Sequence, residues 1–73
     1  MKIKKNYIEN FRHKKGLVMG RKFLQKEVAE HVGVSLTTIT LWASQTTQPS
    51  VENQAKLMAL FGVEAEDLFD YET

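Results

Sequence analysis

The 73-residue chain has no cysteine, so neither a disulfide framework nor a thiolate metal site can stabilise it. It has one proline and four glycines, too few and too scattered to build a linker or a low-complexity segment. It also lacks a long apolar run. The longest uncharged stretch, residues 32–51, holds Ser35, Thr37, Thr38, Thr40, Ser44, Gln45, Thr46, Thr47 and Gln48 and is too polar to cross a bilayer. Lys2, Lys4 and Lys5 lead into no apolar segment, so no secretory signal is expected, and a cytoplasmic protein is. Apolar and polar residues alternate nowhere for more than a few positions, which argues against a sheet. A chain this short buries only about 60% of the surface its unfolded form exposes. Most enzyme architectures built on wide sheets are thereby excluded. Compact helix packing and self-association remain, in one expected domain spanning residues 1–73.

What is present is an uneven charge. Residues 1–26 carry nine lysines and arginines against Glu9 alone, a surplus of eight; residues 27–73 carry Lys56 against eight acids, a deficit of seven, and the whole is +1. A solvated charged face is the competing explanation. A split this sharp favours one end suited to a polyanion and another turned away from it.

The pattern predicts five helices. Asn6 followed by Glu9 resembles a capping box, and a first helix is expected over about residues 6–15, closed by Gly16. Two glycines and a basic pair mark residues 16–23 as a loop, with Leu17, Val18 and Met19 tucked against the core. A second helix is expected over 24–31, with Val28, Ala29 and Val32 inward and Gly33 at its end. Ser35 is a good N-cap for a third over 36–44, which buries Ile39 and Trp42. Pro49 and Ser50 introduce a fourth over 51–61, stopped by Gly62. A short fifth over 64–69 packs Leu68 and Phe69 and places Glu64, Glu66 and Asp67 at the positive end of its dipole. Residues 1–5 read as a basic N-terminal arm and residues 70–73 as a frayed acidic tail.

The informative unit runs from Gln25 through Ala29 and Gly33 to Ile39. Ala29 is small enough for another helix to cross closely. Gly33 can take positive φ, so the chain turns within a few residues. Ile39 plugs the space between the two helices. These are the requirements of a helix-turn-helix.

With its flanks, the sequence resembles the lambda-repressor/Cro-type helix-turn-helix family, also called the XRE family. The matching residues are Asn10, Phe11 and Arg12; Gln25, Ala29, Gly33, Val34 and Ser35; Thr38, Ile39 and Trp42; Pro49 and Ser50; Leu57, Gly62 and Val63; and Asp67, Leu68 and Phe69. The resemblance covers about residues 6–69. It implies an all-α, five-helix DNA-binding domain whose third helix enters the major groove of double-stranded DNA. It further implies that Leu36, Thr37 and Leu41 read base edges and that Gln25 meets the phosphate backbone, although Gln25 could be only a solvated helix-start residue. Ser35, Thr38, Thr40, Ser44 and Gln45 would touch backbone or flanking bases, with Arg21, Lys22 and Lys26 supplying phosphate-neutralising charge.

Several positions depart from the family pattern. Leu36 and Leu41 stand where many relatives carry Gln, Arg or Asn, so readout biased toward thymine-containing steps is expected. Leu24 replaces a capping Thr or Ser, so the second helix is either poorly capped or begins near Arg21. Ala43 replaces a common Glu that pairs with an arginine of the first helix, and Gln45 replaces a common Gly. The connection between the first two helices is longer than usual, and with Arg21 and Lys22 an added phosphate contact is expected there.

The function expected is a transcriptional regulator, a small repressor of the phage or mobile-element kind. It would need no cofactor and would act as a homodimer formed in solution or only on DNA. Phe61, Val63 and Phe69 are candidates for the dimer contact. The alternative is a protein-interaction module on the same fold, such as an antitoxin or an anti-repressor partner. His13 and His31 lie on different helices with no metal-ligand spacing, so no metal site is expected. Trp42, Met19 and Met58 read as core. Neither a nucleophile elbow nor a glycine-rich phosphate loop is present, so an enzyme is not expected.

Overall fold

The computed structural model describes residues 2–73. Its elements are β1 (Ile3–Asn6), α1 (Ile8–Met19), α2 (Gln25–Val32), α3 (Leu36–Ala43), α4 (Val51–Phe61), α5 (Ala65–Leu68) and β2 (Phe69–Tyr71). The five helices share one apolar core. Ile8, Val28, Ile39, Leu57 and Leu68 are fully inaccessible, and Phe23, Ala29, Val32, Trp42 and Phe69 are nearly so. Burying each large side chain contributes about 1.5–3 kcal/mol, and in a chain this small few can be lost.

Local signals place most helix ends. Ser35 Oγ accepts from the Thr38 N–H and Ser50 Oγ from the Asn53 N–H, so α3 and α4 are capped as expected. Gly33 ends α2 at φ 83°, and the N–H groups of Gly33 and Val34 both donate to the Ala29 carbonyl. That turn sends the chain back into α3 within three residues.

Three expectations are corrected. The first concerns the sheet and the two termini. β1 and β2 pair antiparallel, with Ile3 opposite Tyr71 and Asn6 opposite Phe69, so the domain is mainly rather than wholly α. Residues 2–5 are not a free arm, because Ile3 is buried and the Lys2 carbonyl accepts from the Glu72 N–H; Met1 lies outside the described residues. Nor is the acidic end frayed from residue 70. Tyr71 donates its hydroxyl to Gln54 on α4, and Tyr7 donates its own to Asp70. Phe69 is 1% exposed and so is core, not a dimer contact.

The second correction concerns the end of α1. Gly16 does not close the helix but lies buried within it, and Gly20 closes it at φ 74°. A Cβ on Gly16 would sit 2.8 Å from the Arg21 carbonyl oxygen and 3.0 Å from the Phe23 nitrogen. The glycine is there to admit the returning chain. Leu17 and Val18 are consequently turned outward, 83% and 85% exposed, and Met19 is also exposed rather than core.

The third concerns Asn6. It does cap α1 in part, since its Oδ1 accepts from the Ile8 N–H, but Glu9 does not complete a capping box. The Asn6 N–H donates instead to Gln45 Oε1 at 3.0 Å, and Gln45 Nε2 donates to the Asn6 carbonyl at 2.9 Å. Asn6 Nδ2 donates to the Trp42 carbonyl and to Gln48 Oε1. The buried asparagine thus joins β1 to the end of α3 with every polar group matched.

Two outcomes follow. Gly16→Ala should destabilise the fold by about 1–2 kcal/mol in urea titration, because overpacking against backbone outweighs the roughly 1 kcal/mol gained in helix propensity; a stabilised variant would mean that the connection yields. Gln45 sits at φ 64°, so Gln45→Gly relieves roughly 1–2 kcal/mol of left-handed strain while stripping partners from the Asn6 backbone. Unmatched buried groups cost about 1–3 kcal/mol each, so a net fall in Tm is expected, and a rise would contradict the clamp.

Candidate nucleic-acid interface

The outward surface of α3 begins with its cap. The Ser35 hydroxyl is engaged with both the amide and the hydroxyl of Thr38. One turn on, the Thr40 hydroxyl lies 3.0 Å from the Leu36 carbonyl and 3.3 Å from Gln25 Oε1; it has one proton, so it donates to one of them at a time. Ser44 Oγ donates to the Leu41 carbonyl and pairs with the Thr46 hydroxyl. Between these groups Leu36 is 49% exposed, Leu41 is 37% exposed and Thr37 is exposed. The helix carries no charged residue.

α2 and α1 brace this helix. Gln25 Nε2 donates to Glu9 Oε1 at 2.9 Å. Arg12 donates to both Glu9 oxygens, at 2.6 and 3.0 Å, and to the Phe23 carbonyl at 2.6 Å. The Arg12 guanidinium, with a smaller contribution from Gln25, holds the Glu9 carboxyl below its usual range against the burial that raises it. Arg12 therefore takes its acid from its own helix, which is how the fold accommodates Ala43 on α3. Gln25 is committed to Glu9 and placed beside Thr40, so its amide serves the joint between α1, α2 and α3.

The cations cluster at the start of α2. Leu24 contributes no side-chain cap, and α2 does begin at Gln25. The missing cap is replaced by Glu27, whose Oε2 accepts from the Leu24 N–H at 2.8 Å. Arg21 reaches the same carboxylate with both terminal nitrogens, at 2.7 and 3.1 Å. Lys22 and Lys26 are exposed and form no ion pair among the described residues. Arg21 is thus the strut of the connection, while Lys22 and Lys26 carry its free charge. Gln45, the other flanking candidate, has its amide engaged with Asn6 and Gln48.

The bracing residues Glu9 and Asn6 were missed as members of this surface. Their sequence signal reads as local capping, whereas Asn6 is matched by Trp42, Gln45 and Gln48, and Glu9 joins Arg12 of its own helix to Gln25 of α2. Among the described residues no cluster of His, Asp or Glu could hold a metal ion, and no helix is long and apolar enough to cross a membrane.

The helix-turn-helix family model matches residues 19–68, a span that runs from the last residue of α1 to the end of α5. No curated protein matches the sequence. The chain belongs to the helix-turn-helix family of the XRE, lambda-repressor type, and it is a DNA-binding regulator of that kind.

The Glu27 carboxyl is pulled down to about 2, chiefly by the hydrogen bond from Arg21 and next by the Leu24 N–H. Its folded pKa lies below its unfolded value, so its stabilising contribution is complete above the ordinary carboxylate range. It is lost as the pH falls toward about 2. Tm should drop across that window, and Glu27→Gln should lower Tm at neutral pH while flattening the acid limb. An unchanged acid limb would show that the Arg21–Glu27 pair does not form in solution.

Proposed function

We propose that this helix-turn-helix protein is a small repressor of the phage or mobile-element kind that binds operator DNA through the major groove. The observation that carries the reading is the surface of α3. Its middle is solvent-facing at Leu36, Thr37 and Leu41, and its inner side is held rigidly by Ile39, Trp42 and the Gln25–Thr40 joint. A recognition element needs that combination, since side chains must reach base edges from a fixed backbone.

Leu36, Thr37 and Leu41 read bases. Lys22 and Lys26 neutralise phosphates beside the start of α2, where the helix dipole also favours an anion. Arg21 adds to the field while holding Glu27. Ser35 and Thr38 at one side of α3, and Thr40 and Ser44 at the other, flank the read bases. Gln25 and Gln45 act mainly by fixing the frame. The molecule measures 37 × 23 × 19 Å, so two copies fit on half-sites about 34–36 Å apart. Two-fold pairing on DNA then blocks polymerase sterically, without a cofactor. Phe61 and Val63, half-buried beside Phe11 and Val18 in a cleft of about 260 Å³, stay available for contact between copies.

A second reading, a protein-interaction module, draws on Leu17 and Val18, which are apolar and almost fully exposed. One titration separates the two. Labelled duplex from the region flanking the protein's own gene is compared with a scrambled duplex at near-physiological salt. Preference by at least about 10³ supports the repressor; no binding to either duplex supports the interaction module.

The roles of individual residues are tested by variants. Lys22→Ala and Lys26→Ala should each weaken all duplexes alike and make the log–log salt slope shallower by about 0.9. Thr37→Ala should leave the slope unchanged and alter the ranking of base-substituted duplexes. The reverse pattern would move the reading element away from α3.

A further inference from the structure

The polar groups that could read bases by hydrogen bonding are nearly all engaged within the molecule. Ser35 and Thr38 bond to each other, the Thr40 hydroxyl turns to Leu36 and Gln25, and Ser44 turns to Leu41 and Thr46. The Gln25 amide serves Glu9 and the Gln45 amide serves Asn6. Thr37 has no such partner among the described residues, and one hydroxyl cannot make the bidentate pair that identifies guanine or adenine. α3 carries no Arg, Lys, Asn or Gln over residues 36–43. Besides Thr37 and the engaged Thr40, what is exposed on it is apolar: Leu36 and Leu41, at 49% and 37%.

In the major groove one base-pair feature is apolar, the 5-methyl group of thymine. We propose that this protein recognises its operator by the methyl groups of thymines, with Leu36 and Leu41 as the specificity-determining side chains and Thr37 supplying the single directional hydrogen bond. The inference rests on the DNA-binding reading above and names the feature of the duplex that the same surface selects. The charge distribution suits this occupant. Lys22 and Lys26 lie three residues before and one residue after Gln25, which meets Thr40 of α3, so free positive charge accompanies the apolar side chains, as a polyanion bearing methyl groups requires. A protein groove would not require that pattern. The two leucines are five residues apart on one helix, a rise of about 7.5 Å and a rotation of about 140° around its axis, with Thr37 facing between them. Successive base pairs are about 3.4 Å apart, so side chains separated this way meet methyl groups of different base pairs.

The test uses the full chain and duplex DNA that differs only by methyl groups. Preferred duplexes are selected from a randomised library. Each thymine of the best duplex is then replaced singly by deoxyuridine, which removes the methyl and keeps every hydrogen-bonding group. Affinity should fall about fourfold per contacted methyl, the equivalent of about 0.8 kcal/mol, at two separate positions in each half-site. Substitution elsewhere should have no effect. Leu36→Ala and Leu41→Ala should each abolish the thymine–uracil difference at one of those positions and leave the other intact. Both leucines lie outside the core, and circular dichroism of the variants checks that the fold is kept. Strong selection of one duplex with no loss at any deoxyuridine would overturn the methyl readout and leave sequence-specific DNA binding standing. A thymine–uracil difference that survives in both leucine variants would assign the methyl contact to other residues. Failure to select any duplex would overturn the DNA-binding reading and this inference with it.

Discussion

The buried amide of Asn6 is the constraint on which the rest of the structure depends. Asn6 is 2% exposed, and an unmatched polar group in that position would cost on the order of 1–3 kcal/mol, a large share of what a domain of this size can spare. Its matching requires three things at once. Gln45 must curl back from beyond α3 at positive φ, Gln48 must lie alongside, and the last turn of α3 must present the Trp42 carbonyl. The end of α3 is therefore fixed by β1. Because β1 is fixed there, it offers an edge to β2, and the acidic C-terminal segment is drawn against the basic N-terminal one. A protein with no disulfide and a small core thus ties its first strand to α3 through Asn6 and its last strand to the first.

A second joint holds the opposite side of α3. Arg12, Glu9, Gln25 and Thr40 form a chain of contacts from α1 through α2 to α3. The two joints use different chemistry. The first is an uncharged amide cluster, insensitive to pH. The second contains an ion pair and shares its end of α2 with the Arg21–Glu27 pair, so it is the side of the reading unit that acid loosens. Both joints engage polar side chains around α3, and Leu36 and Leu41 stay exposed on its outer side.

Legibility in the sequence follows the range of each interaction. Ser35, Ser50, Gly33 and Gly62 act on groups within a few residues, and the helix ends they set were readable. Pairing of Ile3–Asn6 with Phe69–Tyr71 joins the two ends of the chain, and strands of four and three residues carry too little alternation to announce it. Gly16 was misread for a related reason. A glycine needed for positive φ and a glycine needed for close approach look alike in sequence, and only the returning backbone at Arg21 and Phe23 distinguishes them. Leu17, Val18 and Met19 were then assigned inward because they are apolar, although the extra helical turn carries them outward. At the candidate site, the outward placing of Leu36, Thr37 and Leu41 was legible through the family resemblance, which implies those positions on the outer face of the third helix. That Arg21, Gln25 and Gln45 would have partners within the protein was not, since those partners, Glu27, Glu9 and Asn6, are defined only by the tertiary arrangement.

Separation of charge from the reading surface has a consequence for how affinity and selectivity combine. On the proposed reading, lysines outside α3 attract every duplex alike, by a term that salt weakens steeply. The leucines distinguish duplexes by buried methyl area, a term that modest salt leaves almost untouched. Raising the salt then lowers specific and non-specific binding together and leaves their ratio nearly constant. A reading helix that used arginine on guanine would couple the two, because the same side chain would neutralise phosphate-generated potential and identify the base. Here the sum of weak apolar contacts on one copy gives limited discrimination, at about fourfold per methyl. On the proposed reading, selectivity of the order a repressor needs then comes from multiplying contacts across two half-sites, so that pairing on DNA follows from the chemistry proposed for α3.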